Sequence, residues 1–153
     1  MIMARFVGPK DITLFRHFAE ELVEDIVTTT VQLFKLSVYE SKTNLYGESL
    51  GKTYHSGVSV NALIERQDAE INYEGFGFDR AQQVEYRFNR HTLDEKGLFP
   101  EIGDIIFHNN AYFEIDNVRQ DQMLAGRTDK KFSIICQTFM TRRSTINIEE
   151  RAV

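Results

Sequence analysis

The amino-acid sequence predicts a mainly β protein: an antiparallel β-barrel or curled sandwich with one amphipathic helix near the amino terminus. Several short runs alternate apolar with polar residues and are separated by turn-forming residues, which is the pattern of half-buried strands. A single early run, ITLFRHFAEELVEDIV, instead repeats apolar residues at spacings of three or four. A parallel doubly wound fold is disfavoured, because it needs helices between the strands.

The predicted helix follows Pro9 and Asp11, residue types that are common at helix starts. Four apolar residues form its stripe: Phe15, Phe18, Leu22 and Ile26. Four carboxylates fall on its polar face: Glu20, Glu21, Glu24 and Asp25. We expect the helix to pack on one side of the sheet and the carboxylates to face solvent rather than a metal or substrate.

Six strands are predicted. The first begins at Thr28, and its alternation breaks near Phe34, which indicates a bulge. The others are VSVNALIER, AQQVEYRFNR, the two arms of the hairpin GDIIFHNNAYFEIDNV, and KFSIICQTFM. The intervening segments YESKTNLYGESLGKTYHSG, HTLDEKGLFPE and RQDQMLAGRTDKK are interpreted as a long irregular excursion, a connector and a polar gap.

The chain length and composition predict one globular domain over residues 1–153, with 1–10 and 141–153 as extended arms. No run approaches the length of a membrane span and the start lacks a secretory signal, so we expect synthesis in a cytoplasm and no membrane partner. The net charge of −5 argues against a dedicated nucleic-acid-binding protein, whose affinity would depend on clustered Lys and Arg.

The sequence predicts no catalytic, cofactor-binding or metal site. The four histidines are scattered, no Ser lies in a nucleophile elbow, and the single cysteine, Cys136, lies in an apolar run where we expect burial. Arg80, Arg87 and Arg90 interleave with Tyr86 and Phe88 as on a single-strand binding platform. Strand alternation explains this more simply, with the aromatic residues in the core and the arginines in solvent.

Two pairs of residues are candidates for contact with other proteins. Phe76 and Phe78 flank Gly77 in the predicted loop NYEGFGFD, where they either form an exposed apolar tip or fold back over the sheet. Arg142 and Arg143 lie in the polar tail and could face DNA, an acidic neighbour or an adjacent subunit.

The order of the motifs carries a resemblance that extends from about His17 to Met140. After the helix and first strand come LYGES, a K-x-Y, PEIGDIIFHNNAYFEIDNV and KFSIICQTF. The most specific part pairs an upstream group with three downstream ones: Tyr46-Gly47-Glu48, then Pro100, Gly103-Asp104 and Phe113-Glu114-Ile115. This order resembles the neck proteins of contractile-tailed, T-even-like bacteriophages, and the closing half resembles head-tail connector and stopper proteins more broadly.

The resemblance implies a non-enzymatic virion protein without a cofactor, located in the neck and made in the host bacterial cytoplasm. It implies a homo-oligomeric ring, six-fold by preference, between a portal-side adaptor and the tail terminator or tail tube, with genomic DNA passing through the lumen. Tyr46 and Glu48 join the candidate interface residues, and Gly103 and Asp104 are expected to form a tight structural turn into the hairpin. A tail terminator or baseplate ring protein, and an OB-type nucleic-acid-binding protein, remain as alternatives.

Overall fold

Six antiparallel strands form a closed barrel in a computed structural model that describes residues 8–37, 51–66, 70–73, 78–123, 127–141 and 146–148. Around the barrel the strand order is β1-β3-β6-β9-β8-β7, and β7 closes it by pairing with β1. Its strands have these bounds: β1 Thr30–Phe34, β3 Val58–Arg66, β6 Gln83–Asn89, β7 Ile105–His108, β8 Ala111–Met123 and β9 Arg127–Thr141. The predicted fold class is confirmed, and these six strands are the six that alternation indicated.

Alternation places one side of each strand inside the barrel. On β6, Tyr86 and Phe88 are fully buried, whereas Arg87 between them is exposed. The other buried strand residues of the barrel interior follow the same rule: Val31, Leu33, Val60, Ala62, Val84, Ile106, Phe113, Ile115, Ile134 and Cys136. The core interpretation of the aromatic residues in AQQVEYRFNR is therefore confirmed.

Among the described residues, four shorter strands lie outside the barrel, with the bounds β2 Lys52–Tyr54, β4 Glu70–Tyr73, β5 Phe78–Ala81 and β10 Ile146–Ile148. β4 and β5 pair as an antiparallel hairpin, and β10 pairs with β2 in parallel. The excursion predicted to be irregular thus contains a strand, and part of the predicted carboxy-terminal arm lies against its own chain. Ile146 and Ile148 pack on the Phe34–Tyr54–Ile105 cluster, and this apolar contact explains why a polar tail becomes ordered here.

The prediction that RQDQMLAGRTDKK is a polar gap between strands is wrong. β8 and β9 extend into this segment on both sides of residues 124–126. Backbone pairing sustains this extension despite the polar sequence, with Gln122 opposite Lys131 and Met123 opposite Arg127. Three register shifts interrupt the pairing, and such shifts increase local twist and bend a hairpin.

Two helices accompany the barrel. α1 spans Pro9–Glu20 and continues directly as a π-helical segment, Glu21–Val27, that ends at Thr28 in a left-handed conformation. α2 spans Arg90–Glu95 within the segment predicted to be only a connector. Six residues are too few for apolar periodicity to indicate a helix. A capping residue starts α2, since the Asn89 side chain accepts a hydrogen bond from the His91 backbone at 3.1 Å.

α2 contributes to the barrel core. Leu93 is fully buried with the interior residues, and Thr92 beside it is also buried. The amino-terminal helix, by contrast, has no buried residue before Val23.

Candidate interaction surface

Polar contacts hold the amino-terminal helix against the barrel. Glu24 accepts hydrogen bonds from the Asn61 side-chain amide at 2.8 Å and from the Thr92 hydroxyl at 3.0 Å. One turn earlier, Glu20 lies 2.9 Å from the ring nitrogen Nδ1 of His91. A single helix face therefore contacts both β3 and α2, and that face carries these two carboxylates together with the buried Val23.

This arrangement leaves the apolar stripe of the helix on the outside. Phe15, Phe18 and Leu22 are about half exposed, and Ile26 is 68% exposed. Leu14 and Val27 extend the same exposed surface. We call these six residues the helix stripe. Contiguous exposed apolar surface on this scale is typical of a protein contact.

The prediction of a solvated acidic face is wrong for Glu20 and Glu24, which face the barrel. The physical reason is that β3 and α2 present an amide, a hydroxyl and an imidazole at the contact, and these groups match carboxylates better than apolar side chains. The helix is amphipathic as predicted, but its orientation is reversed.

Gly103 and Asp104 form a turn that enters β7. Gly103 has a φ of +95°, which favours glycine, and its N–H donates to the Ile115 carbonyl at 2.9 Å. The Ile115 N–H in turn donates to the Asp104 carbonyl at 2.9 Å, so the turn is joined to β8 by two backbone bonds.

The Asp104 side chain is 1% exposed and links three segments. It accepts hydrogen bonds from the backbone N–H groups of Leu36 and Glu101, each at 2.9 Å, and lies 3.2 Å from the Lys35 ammonium group. The arrangement is a buried carboxylate whose two oxygens are both hydrogen-bonded and which pairs with the partly exposed Lys35. It fixes the chain after β1 against the turn before β7.

A second exposed apolar patch lies near this turn and was not singled out from the sequence. Phe99 is 43% exposed and Ile102 is 68% exposed, while Lys35 donates to the Phe99 carbonyl at 2.6 Å and pairs with Glu101 at 3.0 Å. The sequence signal for this patch is Phe99 directly before Pro100 and Ile102 two residues after it in GLFPEIGD. Together with the helix stripe, it gives the chain two apolar surfaces in different places.

The titratable groups inside the barrel are kept neutral. Burial raises the pKa of the Cys136 thiol to about 12 and also raises the pKa of Tyr54 and Tyr86. Burial, with Arg66 nearby, lowers the pKa of His108. These groups do not form a nucleophile and base pair on the described side chains, and no cluster of three or more His, Cys, Asp or Glu there could hold a metal ion.

Two of the three arginines considered for nucleic-acid binding, Arg87 and Arg90, are paired with acids, and the side chain of the third, Arg80, lies outside the described part of the chain. Arg87 and Arg119 both contact Glu85 at 3.1 Å, and Arg90 lies 3.6 Å from Asp94. Paired guanidinium groups contribute little to a basic surface, so this strand offers no free phosphate-binding row among its described side chains.

Most of the other predicted contact residues lie outside the described part of the chain, namely Tyr46, Glu48, Phe76, Arg142 and Arg143. Phe78 is the first residue of β5, so its backbone belongs to a hairpin strand rather than to a loop. Of the residues that the sequence singled out, the structure therefore places Gly103 and Asp104 together in one turn. It also shows the helix stripe as a further candidate contact surface.

Comparison with solved structures shows a likeness of fold. The fold is similar to a chain from a structure described as the "Virion of native gene transfer agent (GTA) particle", with 9% sequence identity, a TM-score of 0.48, and coverage of 74% of this chain and 94% of that chain. We draw no functional argument from a likeness of this size. No family model matches the sequence, and no curated protein matches it. Among the described residues, no helix has the length and apolar character required to cross a membrane.

Proposed function

We propose that this protein is a structural subunit of a tailed-phage virion that assembles with copies of itself into a ring in the neck. The observation that carries the proposal is the helix stripe, an apolar surface held in an outward orientation by the contacts of Glu20 and Glu24 with the barrel. Such a surface serves binding to protein rather than chemistry on a small molecule.

The second apolar patch supports assembly into a ring. A cyclic oligomer is built from heterologous contacts, in which one surface of each copy meets a different surface of the next. Phe99 and Ile102 lie beside the turn of Gly103 and Asp104, whose motif is part of the resemblance to neck proteins. This end of the barrel is a candidate for the repeated contact, together with Tyr46 and Glu48.

The proposed ring has six copies, a portal-side adaptor on one face and the tail terminator or tail tube on the other. Genomic DNA passes through its lumen without sequence recognition. A chain with a net charge of −5 suits a channel that DNA must pass without sticking. The protein in this proposal is not an enzyme and uses no cofactor.

The experiment is electron microscopy of the purified full chain, combined with its mass by analytical ultracentrifugation. The proposal expects closed rings, and it expects Ile102→Glu to reduce ring formation while leaving the circular dichroism spectrum unchanged. Ser59→Glu, an exposed polar position on β3, is the matched control and should still form rings. A chain that stays monomeric at every concentration would contradict the proposal.

An OB-type nucleic-acid-binding protein is the alternative from another class. The described barrel has six strands rather than the five of an OB-fold, and Arg87 and Arg119 are both paired with Glu85. Titration of a labelled single-stranded oligonucleotide, followed by fluorescence anisotropy, distinguishes the two. Tight binding that weakens steeply with salt would favour the alternative.

A further inference from the structure

Both edges of β2 are paired, each by a different part of the chain. On one edge lies the segment after β1: the Ser37 N–H donates to the Thr53 carbonyl at 2.8 Å, and the His55 N–H donates to the Lys35 carbonyl at 2.9 Å. On the other edge lies β10, which pairs in parallel over its three residues. Without β10 this second edge would present unpaired backbone groups, as does any strand that accepts a further strand.

The surface that receives β10 is held in place by contacts that do not involve β10. An ion pair between Lys52 and Glu114 joins β2 to β8, and the buried Tyr54 packs with Phe34 and Ile105. We call β2 together with the Phe34–Tyr54–Ile105 cluster the acceptor. It combines a strand edge with an apolar surface, and this combination fits a short extended segment that carries aliphatic side chains at alternate positions.

We call the segment that fills the acceptor, Ile146–Ile148, the β10 arm. Its two isoleucines lie on the acceptor cluster and are only partly buried, and release of the arm breaks no pairing within the barrel. Local opening of so small a contact requires much less free energy than unfolding of the barrel. The same contacts form when the arm comes from an identical copy, so exchange of arms between copies has a low cost.

We propose that in the assembled ring the β10 arm of each copy occupies the acceptor of a neighbouring copy. This inference rests on the proposed function, in which the end of the barrel with Phe99 and Ile102 takes part in the repeated contact. The acceptor adjoins that end, because Asp104 binds the backbone N–H of Leu36, and Leu36 forms a bridge with Tyr54. A copy whose arm is exchanged leaves the ring only when backbone pairing is broken, a link that side-chain patches alone do not provide.

The length of the connection to the β10 arm limits where the exchange can occur. Five chain steps lead from Thr141, the end of β9, to Ile146, and they extend over at most about 18 Å. Thr141 pairs with Tyr112, which packs on the acceptor cluster, so the arm departs beside the acceptor of its own copy. In a six-fold ring, the distance between equivalent points of adjacent copies equals their distance from the axis. Exchange therefore requires the acceptor end of each barrel to lie within about 18 Å of the axis, at the lumen.

Cysteine cross-linking between two differently substituted chains tests the exchange. Thr53 and Asn147 are Cα partners across β2 and β10, so Thr53→Cys and Asn147→Cys placed in separate chains form this disulfide only between copies. The native Cys136 is fully buried and is kept in both chains. When equal amounts are mixed before assembly and then oxidised, about half of the Asn147→Cys chains are expected in a covalent dimer, because half of all neighbours carry Thr53→Cys. Non-reducing electrophoresis measures this fraction.

Two controls establish that the dimer reports an arm in the acceptor. Ser59→Cys, at an exposed position on β3, replaces Thr53→Cys and should give no dimer above the level of either chain alone. Ile148→Asp, added to the Asn147→Cys chain, should abolish the dimer, because a carboxylate does not pack in the apolar acceptor cluster. An equal yield of dimer in either control would show random collision between chains and would overturn the exchange.

The outcomes separate this inference from the proposed function. Rings seen by electron microscopy without the covalent dimer overturn the exchange and leave the proposed function intact, since each arm then stays on its own chain. The dimer without rings contradicts the proposed function and leaves the exchange of arms standing in a smaller assembly. A mixture that gives neither contradicts both.

Discussion

At the scale of single residues, Asp104 fixes the relative positions of three chain segments. Its carboxylate binds the backbone of Leu36 and Glu101 and lies beside Lys35, and almost no water reaches it. Loss of this carboxylate leaves the backbone N–H groups of Leu36 and Glu101 without their acceptor, so the effect of substitution on stability should be large.

We therefore expect Asp104→Ala to lower the free energy of unfolding by about 2 to 3 kcal/mol. Chemical denaturation followed by circular dichroism measures this change. Glu101→Gln is the matched control: Glu101 also pairs with Lys35 but is 74% exposed, so its loss should cost less than about 1 kcal/mol. Equal effects of the two substitutions would contradict the role assigned to Asp104.

Cys136 gives the protein a predictable response to alkali. Burial raises its pKa from 9.0 to about 12, so between these values the folded chain holds a proton that the unfolded chain has lost. Stability from this group is complete below pH 9.0 and is lost as the pH rises towards about 12. Tyr54 and Tyr86, whose pKa values are also raised, act with the same sign from pH 10.0 upward.

Cys136→Ala should therefore lose less stability than the native chain when the pH is raised from neutral towards 12. The substitution leaves a small cavity that lowers stability at every pH, so the comparison is between the two slopes of unfolding free energy against pH. Identical slopes would show that the thiol titrates normally in the folded state.

At the scale of elements, the sequence predicted the amino-terminal helix but not its orientation on the barrel. Spacing identified the helix and its apolar stripe, but it could not show which face meets the barrel. That choice depends on Asn61, Thr92 and His91, which lie far from the helix in sequence. Glu20 and Glu24 contact these side chains, and the helix stripe therefore faces outward.

Alternation was a better guide for the barrel. It identified the six barrel strands, although β7 and β9 bury consecutive residues, Ile105 and Ile106 on β7 and Ile134 to Cys136 on β9. It missed β2, β4, β5, β10 and the extension of β8 and β9, which are stabilised by pairing rather than by an alternating sequence. It also missed α2, which is set by the Asn89 cap and by burial of Leu93.

The orientation of the helix leads to different expected effects on stability for two apolar substitutions. Leu22→Ala, on the exposed stripe, should change the unfolding free energy of the isolated chain by less than about 0.5 kcal/mol while weakening self-association. Val23→Ala, one residue later and 5% exposed, should lower it by about 1 to 2 kcal/mol. Denaturation at low protein concentration, combined with ultracentrifugation, checks both. A large loss of stability in Leu22→Ala would show that the stripe packs within its own chain.

At the scale of the whole molecule, the described part of the chain separates a closed barrel from the surfaces around it. Closure pairs the barrel strands with one another, so association need not proceed by adding strands to an open barrel edge. It leaves the helix stripe and the Phe99–Ile102 patch as side-chain surfaces for contact. These two surfaces are candidates for the heterologous contacts of the proposed ring.

Cryo-electron microscopy of virions from the source that encodes this chain tests the proposed neck location most directly. The account predicts a ring of copies between the portal and the tail, with the barrels around a central channel. A virion neck that lacks this chain, or density that places it in the baseplate or outside the particle, would contradict the account.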